Sequence, residues 1–271
     1  MSDSCAPAIF KFSGAGNDFV VLDGRQGGME AFRQVARISD LCRRYATDGL
    51  MILGLDPEVD FRMEFYNPDG SGGMMCGNGG RCIVAFADYL GLRPAAADGT
   101  WLFRAPDGLH TATLLDPPEV SLARRTWIVR LKMIDVQGIT PMKGGYFLNT
   151  GTRHFVRFVD DVASVDIEKE GYALRWDPAF QPEGTNVNFV QVAPDGLHVR
   201  TFEKGVEGET LACGTGLTAS AIAAYVMAGT DRPSAGFRLQ CRRGDWLQVD
   251  FRPGANNTFT DVYLTGPAEK L

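Results

Sequence analysis

Histidine is scarce: 271 residues contain three, at 110, 154 and 198, and none falls at HExxH spacing, which argues against a histidine-rich metal centre. Cysteine is sparse too. The six, at 5, 42, 76, 82, 213 and 241, form no CxxC pair and are too few for a disulfide scaffold, although individual thiols remain candidates for chemistry. Basic charge is not in excess. With 27 Lys and Arg against 33 Asp and Glu, the net charge of -6 argues against nucleic acid or an anionic membrane surface and favours a small-molecule partner. Long apolar runs are missing: Ala219 to Ala228 falls well short of the roughly 20 residues that cross a bilayer. The opening MSDSCAPAIF lacks a basic start followed by an apolar stretch, so a cytoplasmic location is expected. What is present, 45% hydrophobic and 22% charged residues, suffices for two modest domains or one large one.

Strands are expected at Ala8–Phe12 and Asp18–Leu22 around the turn SGAGN, then at Leu50–Leu55 and Phe61–Tyr66. Met29–Tyr45 places Phe32, Val35, Ala36, Leu41 and Cys42 at helical spacing, and a second helix is expected over Gly79–Leu90. Segments 93–98 and 116–125 are Pro-, Ala- or charge-rich breaks, the second being the better boundary between halves. Strands return at Trp127–Ile134, Phe155–Val159, Val187–Val192 and His198–Phe202. A last helix covers Gly214–Ala228, followed by strands at Phe237–Gln240, Trp246–Phe251 and Thr260–Leu264. Alternating strands with one long helix per half describe a mixed α/β chain with two similar lobes.

An internal repeat supports the two lobes. Gly14–Val20 resembles Gly151–Val156, Tyr66-Asn67 stands opposite Phe202-Glu203, and Met75–Gly79 stands opposite Ala212–Gly216, all at offsets of 136 to 137. Three collinear matches at half the chain length point to duplication, with one lobe from 1–122 plus 260–271 carrying Cys76 and the other from 123–259 carrying Cys213. The halves are expected to face one another across a cleft.

Cys76 and Cys213 each open a C-G-x-G at a helix start, where unpaired N–H groups and the helix dipole favour an anion and ease loss of a thiol proton. Glycine after the cysteine lets a ligand approach those N–H groups, which also suit a carboxylate. A single cysteine beside a tight turn is more often packing, but two in matching motifs favour chemistry. Thiols on opposite faces of one carbon suit removal of an α-proton on one side and its return on the other, an epimerisation or racemisation. No lysine stands in a recognisable PLP context, so a cofactor-free racemase or epimerase is the economical expectation, and the paired helix ends would stabilise the anionic intermediate.

The stretches KFSGAGNDFVVLD, RRYATDGLMIL, YNPDGSGGMMCGNGGRC, NTGTRHFV, PEGTNVNFVQV and TFEKGVEGETLACGTG run in order over nearly the whole chain, and together they resemble the diaminopimelate epimerase family. The resemblance implies two pseudo-symmetric α/β lobes, each a strand barrel around a central helix, and interconversion of LL- and meso-diaminopimelate without metal or PLP in the lysine and peptidoglycan pathway. Carried over by position, it implies Cys76 and Cys213 as the acid/base pair, with His154 and Glu203 beside them tuning thiol ionisation and substrate position. It further implies Gly77, Asn78, Gly214 and Thr215 on the reacting carboxylate, Asn67 and Glu203 on the reacting ammonium, and Asn17, Asn186 and Lys204 nearer the far end. Thr152 counts among the substrate contacts as well. A homodimer is left open.

Three departures matter. The family motif usually has arginine where Lys204 stands, often asparagine at Thr152, and proline where this chain has Arg153. Arginine grips a carboxylate with a planar fork and lysine with a single flexible charge, so Arg153 is expected to help Lys204. Plainer roles stay open: Asn17 and Asn67 as turn residues, Asn186 as a strand-start cap, His154 as a hydrogen-bonded core histidine, and Cys5, Cys42, Cys82 and Cys241 as packing or surface thiols. Two other readings are a sister racemase of the proline or histidine branches and a non-catalytic anion-binding protein of the same fold. A dinucleotide-binding reading of Gly14-Ala15-Gly16 fails because Phe19 occupies the third glycine position.

Overall fold

Residues Ile9–Gly14 (β1) and Asn17–Asp23 (β2) pair antiparallel around a tight turn in which Ala15 and Gly16 take φ of 56° and 106°, the left-handed region that the SGAGN composition predicts. The computed structural model describes residues 7–72, 75–115, 125–229 and 235–271. The chain divides into two units, 1–131 with 267–271, and 132–266. Most of the expected boundary segment 116–125, and Cys5, lie outside the described residues.

In the first unit, β2 leads through Val35–Tyr45 (α1) to Gly49–Gly54 (β3) and Phe61–Tyr66 (β4). Next come Gly77–Tyr89 (α2), then Thr100–Ala105 (β5), Gly108–Leu114 (β6) and Thr126–Lys132 (β7). The strands lie in sequence order, parallel where a helix intervenes (β2 with β3, β4 with β5) and antiparallel elsewhere. The chain's last residues close the ring: Phe12 pairs with Lys270, Ser13 with Glu269, and Lys270 N–H donates to Arg125 O at 2.7 Å. The result is a closed barrel of eight strands with α2 inside, buried from Gly77 to Ala87.

The strand β3, GLMILG, is buried at every position, because it is covered twice: Leu50 and Ile52 pack under α1, while Met51 lies toward Gly79 of α2. This explains its unbroken apolar run, the pattern of a strand buried on both faces. Phe12, Phe86 and Trp127 fill the far end, with Phe12 5.5 Å from Phe86 and 5.7 Å from Trp127.

The second unit repeats the plan with Ile139–Met142 (β8), Gly145–Asn149 (β9), Arg153–Phe158 (β10), Ile167–Arg175 (α3), Asn186–Ala193 (β11) and Gly196–Glu203 (β12). The short Gly208–Thr210 (β13) follows, then Gly214–Met227 (α4), Ala235–Gln240 (β14), Trp246–Pro253 (β15) and Phe259–Lys270 (β16). The strands run β8-β9-β10-β11-β12-β14-β15-β16, and paired hydrogen bonds of 2.8 Å between Val136 and Phe259 close the ring. The inner helix α4, GTGLTASAIAAYVM, is apolar or small on every side, as a helix surrounded by strands must be. Its hydroxyls turn back onto its own carbonyls: Thr218 donates to Gly214 O and Ser220 to Gly216 O.

Several expectations need correction. The predicted helix over Met29–Tyr45 is a 3₁₀ turn at Glu30–Arg33 and then α1, because Gln34 between them is extended. The helix expected from Gly79 begins at Gly77, with Cys76 as its cap. The second unit holds two α-helices, α3 and α4, where one was expected. The unforeseen α3 starts at Asp166, whose carboxylate accepts from Lys169 N–H, and packs so tightly that a Cβ on Gly171 would lie 2.5 Å from Phe202 Cβ. Strands β5, β6, β8, β9 and β13 were also unforeseen.

Candidate active site

Both C-G-x-G motifs cap the buried helix of their unit. Cys76 is extended (φ -85°, ψ 144°) and its Sγ accepts the Gly79 N–H at 3.1 Å. Cys213 is also extended (φ -128°, ψ 106°), but its sulfur meets a hydroxyl instead, Thr215 Oγ1 at 3.5 Å. Each sulfur therefore sits at the positive end of a helix dipole, where an anionic thiolate or a bound carboxylate is favoured by about 0.3–1 kcal/mol per terminus. The glycines are needed for close approach: a Cβ on Gly216 would lie 2.4 Å from Asn188 Oδ1.

In the first unit, a chain of side chains fixes the helix start. Asp48 accepts from Asn17 Nδ2 at 3.3 Å, Asn17 Oδ1 accepts from Asn78 Nδ2 at 2.6 Å, and Asn78 Oδ1 accepts from Arg81 at 3.0 Å. Arg81 is fully buried and also donates to Gly77 O and Pro267 O. Asn67 lies in a separate turn, its amide on Ser71 Oγ at 3.0 Å.

In the second unit, His154 is the centre. It is fully buried, and burial pushes its imidazole down to about 3, so the ring is neutral near pH 7. Nδ1 lies 2.9 Å from Asn188 Nδ2, and Nε2 lies 2.9 Å from Thr152 Oγ1 and 3.0 Å from Thr215 Oγ1. Asn186 reaches Thr152 Oγ1 at 3.1 Å and accepts the Lys204 N–H at 2.8 Å. His154, Thr152, Asn186, Thr215 and Cys213 are thus one linked group, in which Thr215 stands between His154 and Cys213. Glu203 does not join it among the described residues; it is half-buried, and burial raises its carboxyl against a lowering contact from Thr210.

The remaining described cysteines behave as packing. Cys42, Cys82 and Cys241 are buried, and desolvation raises all three thiols. Among the described residues, no cluster of three or more His, Cys, Asp or Glu offers a metal site.

A model of the diaminopimelate epimerase family matches residues 9–115 and 146–271. The chain belongs to the diaminopimelate epimerase family. The diaminopimelate epimerase of Flavobacterium psychrophilum is 39% identical over 267 residues, covering 96% of each chain. Among solved structures, a PhzF-family phenazine biosynthesis protein from Bacillus anthracis matches with TM-score 0.75 at 11% identity, over 97% of this chain and 96% of that one. A hydroxyproline epimerase from Agrobacterium vitis matches with TM-score 0.68 at 14% identity, over 97% and 88%. These likenesses show the fold.

Two of the three departures from the family motif, Lys204 and Arg153, meet at Glu183, and the third, Thr152, lies with His154. Lys204 is exposed and its Nζ donates to Glu183 O at 2.9 Å, while the Arg153 guanidinium pairs with the Glu183 carboxylate and lies 5.0 Å over the Phe147 ring. Thr152 turns its hydroxyl into the His154 group. Sequence reasoning missed Asp48, Arg81, Asn188 and Thr201. Asn188 carried a usable signal: in NVNFV two amides repeat at i and i+2, putting both on the face of β11 that meets α4.

Proposed function

We propose that the chain interconverts LL- and meso-diaminopimelate through Cys76 and Cys213, a cofactor-independent isomerase of lysine and peptidoglycan precursor synthesis. The observation that carries the reading is the pair of cysteine-capped, glycine-opened helices, one at the centre of each barrel. One thiolate takes the α-proton, and the electron pair left on carbon delocalises into the carboxylate. The other thiol gives its proton to the opposite face, so the centre inverts and the two sulfurs exchange protonation states. N–H groups of Gly77, Asn78, Gly214 and Thr215 hold the charge that develops on the carboxylate, a preorganised contribution that grows toward the transition state. Asn67 and Glu203 take the reacting ammonium, and Asn17, Asn186, Thr152 and Lys204 contact the substrate away from it.

A cytoplasmic site of action and a homodimeric assembly are part of the same proposal; no described helix is long and apolar enough to cross a membrane. Incubating the purified protein with LL-diaminopimelate in deuterated water tests the proposal: both meso product and one α-deuterium are expected. A second reading, a racemase of another amino acid, draws on Lys204 in place of arginine; faster racemisation of proline or histidine than epimerisation of diaminopimelate would favour it.

A further inference from the structure

The hydrogen bonds around His154 have a direction, because two backbone groups at the edges are fixed in kind. A carbonyl only accepts and an amide N–H only donates. Phe155 O lies 3.4 Å from Asn188 Nδ2, so that end of the amide is the nitrogen, and Asn188 Oδ1 takes the Thr201 hydroxyl at 2.9 Å. The second Nδ2 proton points at His154 Nδ1, 2.9 Å away, which is therefore the bare ring nitrogen. The proton of the neutral ring sits on Nε2 and faces the oxygens of Thr152 and Thr215.

The other fixed group is the Lys204 N–H, which donates to Asn186 Oδ1 and turns Asn186 Nδ2 toward Thr152 Oγ1. Thr152 Oγ1 thus accepts, and its own proton has one acceptor among these partners, Thr215 Oγ1 at 3.2 Å. Thr215 Oγ1 is approached by protons from Thr152 and from His154. Its own proton is left for Cys213 Sγ at 3.5 Å.

We propose that Thr215, oriented by Thr152 and a neutral His154, is a positioning hydroxyl that donates to Cys213 Sγ and favours the thiolate form of that cysteine. The proposal rests on the reading of Cys213 as a proton-moving thiol. It makes the two helix-start cysteines chemically unlike: Cys76 takes its donor from backbone, Gly79 N–H, and Cys213 from a side chain that substitution can remove. It also gives His154 an indirect part, through a hydroxyl rather than as a charged base.

By strand alternation, the ionisable groups on the faces of β9, β10, β11, β12, β14 and β15 turned toward α4 are Tyr146, His154 and Glu203. Of these, only His154 bonds into the chain among the described residues, and Glu203→Gln in the same assay isolates the carboxyl.

The test is alkylation of Cys213 by iodoacetamide as a function of pH, read by peptide mass spectrometry in full-length protein carrying Cys76→Ser. Thr215→Val keeps the side-chain shape and the backbone N–H. It is expected to raise the pH midpoint of Cys213 alkylation by about one unit and to slow alkylation at pH 7 by about tenfold, the effect of one lost hydrogen bond to a charged acceptor. Thr215→Ser is expected to keep the parent profile. Should Thr215→Val fold poorly by circular dichroism, Thr215→Ala removes the same hydroxyl and carries the same expectation. A hydroxyl-free variant with the parent profile, or a serine variant shifted as far as valine, overturns the proposal. Alkylation needs no substrate and epimerisation is assayed separately in protein with Cys76 intact, so an unshifted profile beside an active Cys76-intact protein overturns the hydroxyl chain alone, and a shifted profile beside a Cys76-intact protein inert toward diaminopimelate overturns the substrate reading alone.

Discussion

Asn78 Nδ2 donates to Asn17 Oδ1 at 2.6 Å, so the β1–β2 turn and the first turn of α2, 61 residues apart, are held by one amide pair. Asn78 is 3% exposed, and its oxygen is already committed to Arg81. Removing its acceptor leaves a buried donor without a partner. Asn17→Ala is expected to lower unfolding stability by about 1–3 kcal/mol in urea titration. Asn17→Asp keeps the acceptor but sets a second carboxylate beside Asp48, so it should be destabilising near pH 7 and recover as pH falls through the carboxylate range. An alanine variant as stable as the parent would show that Asn78 finds another acceptor.

His154 sets an acid limit. Its folded pKa of about 3 lies below the ordinary 6.5, so between those values the unfolded chain binds a proton that the folded chain does not. Stability from this group is complete above about pH 6.5 and declines as pH falls toward 3, with a slope approaching one proton, about 1.4 kcal/mol per pH unit. Urea midpoints from pH 7 to pH 4 should show that extra slope in the parent and lack it in His154→Gln; equal slopes would refute the assignment.

Cys76→Ala and Cys213→Ala should each reduce epimerisation below a few percent with circular dichroism unchanged, since neither thiol alone serves both faces of one carbon. Retention of substantial epimerisation by either variant would end the two-thiol mechanism.

Lys204 is expected to bind the distal carboxylate, for which its Nζ must leave Glu183 O. Loss of a charge-assisted contact of this kind costs about 1.5–3 kcal/mol, or roughly 10- to 150-fold in kcat/KM. Lys204→Met should show that loss mainly through KM, and Lys204→Arg should largely preserve turnover. Unchanged diaminopimelate kinetics in Lys204→Met would remove Lys204 from the substrate site.

Much of the fold is legible in local chemistry. Phe61–Tyr66 alternates buried and less buried positions and was read at its observed limits, and the all-apolar run before Ala228 marks an enclosed helix. The β5–β6 hairpin had a signal that went unused, Pro106-Asp107-Gly108 between the alternating WLFRA and GLHTATL. Gly171 hid α3, since its low helix propensity gives no hint that Phe202 leaves no room for a side chain.

The sequence by itself determined that each buried helix opens at a C-G-x-G motif, although the first residue of α2 is Gly77 and not the expected Gly79, because the motif acts over a single turn and needs no distant partner. It determined the duplication as well, since matching motifs keep their spacing. Only tertiary structure decided how the polar side chains couple. Strand register sets His154 beside Asn186 and Asn188 opposite Thr201, and residues 13 to 34 positions apart in the chain share hydrogen bonds only once those strands pair. Burial, which the chain acquires by closing the barrel, then keeps His154 neutral and leaves a threonine hydroxyl, rather than an imidazolium, against Cys213.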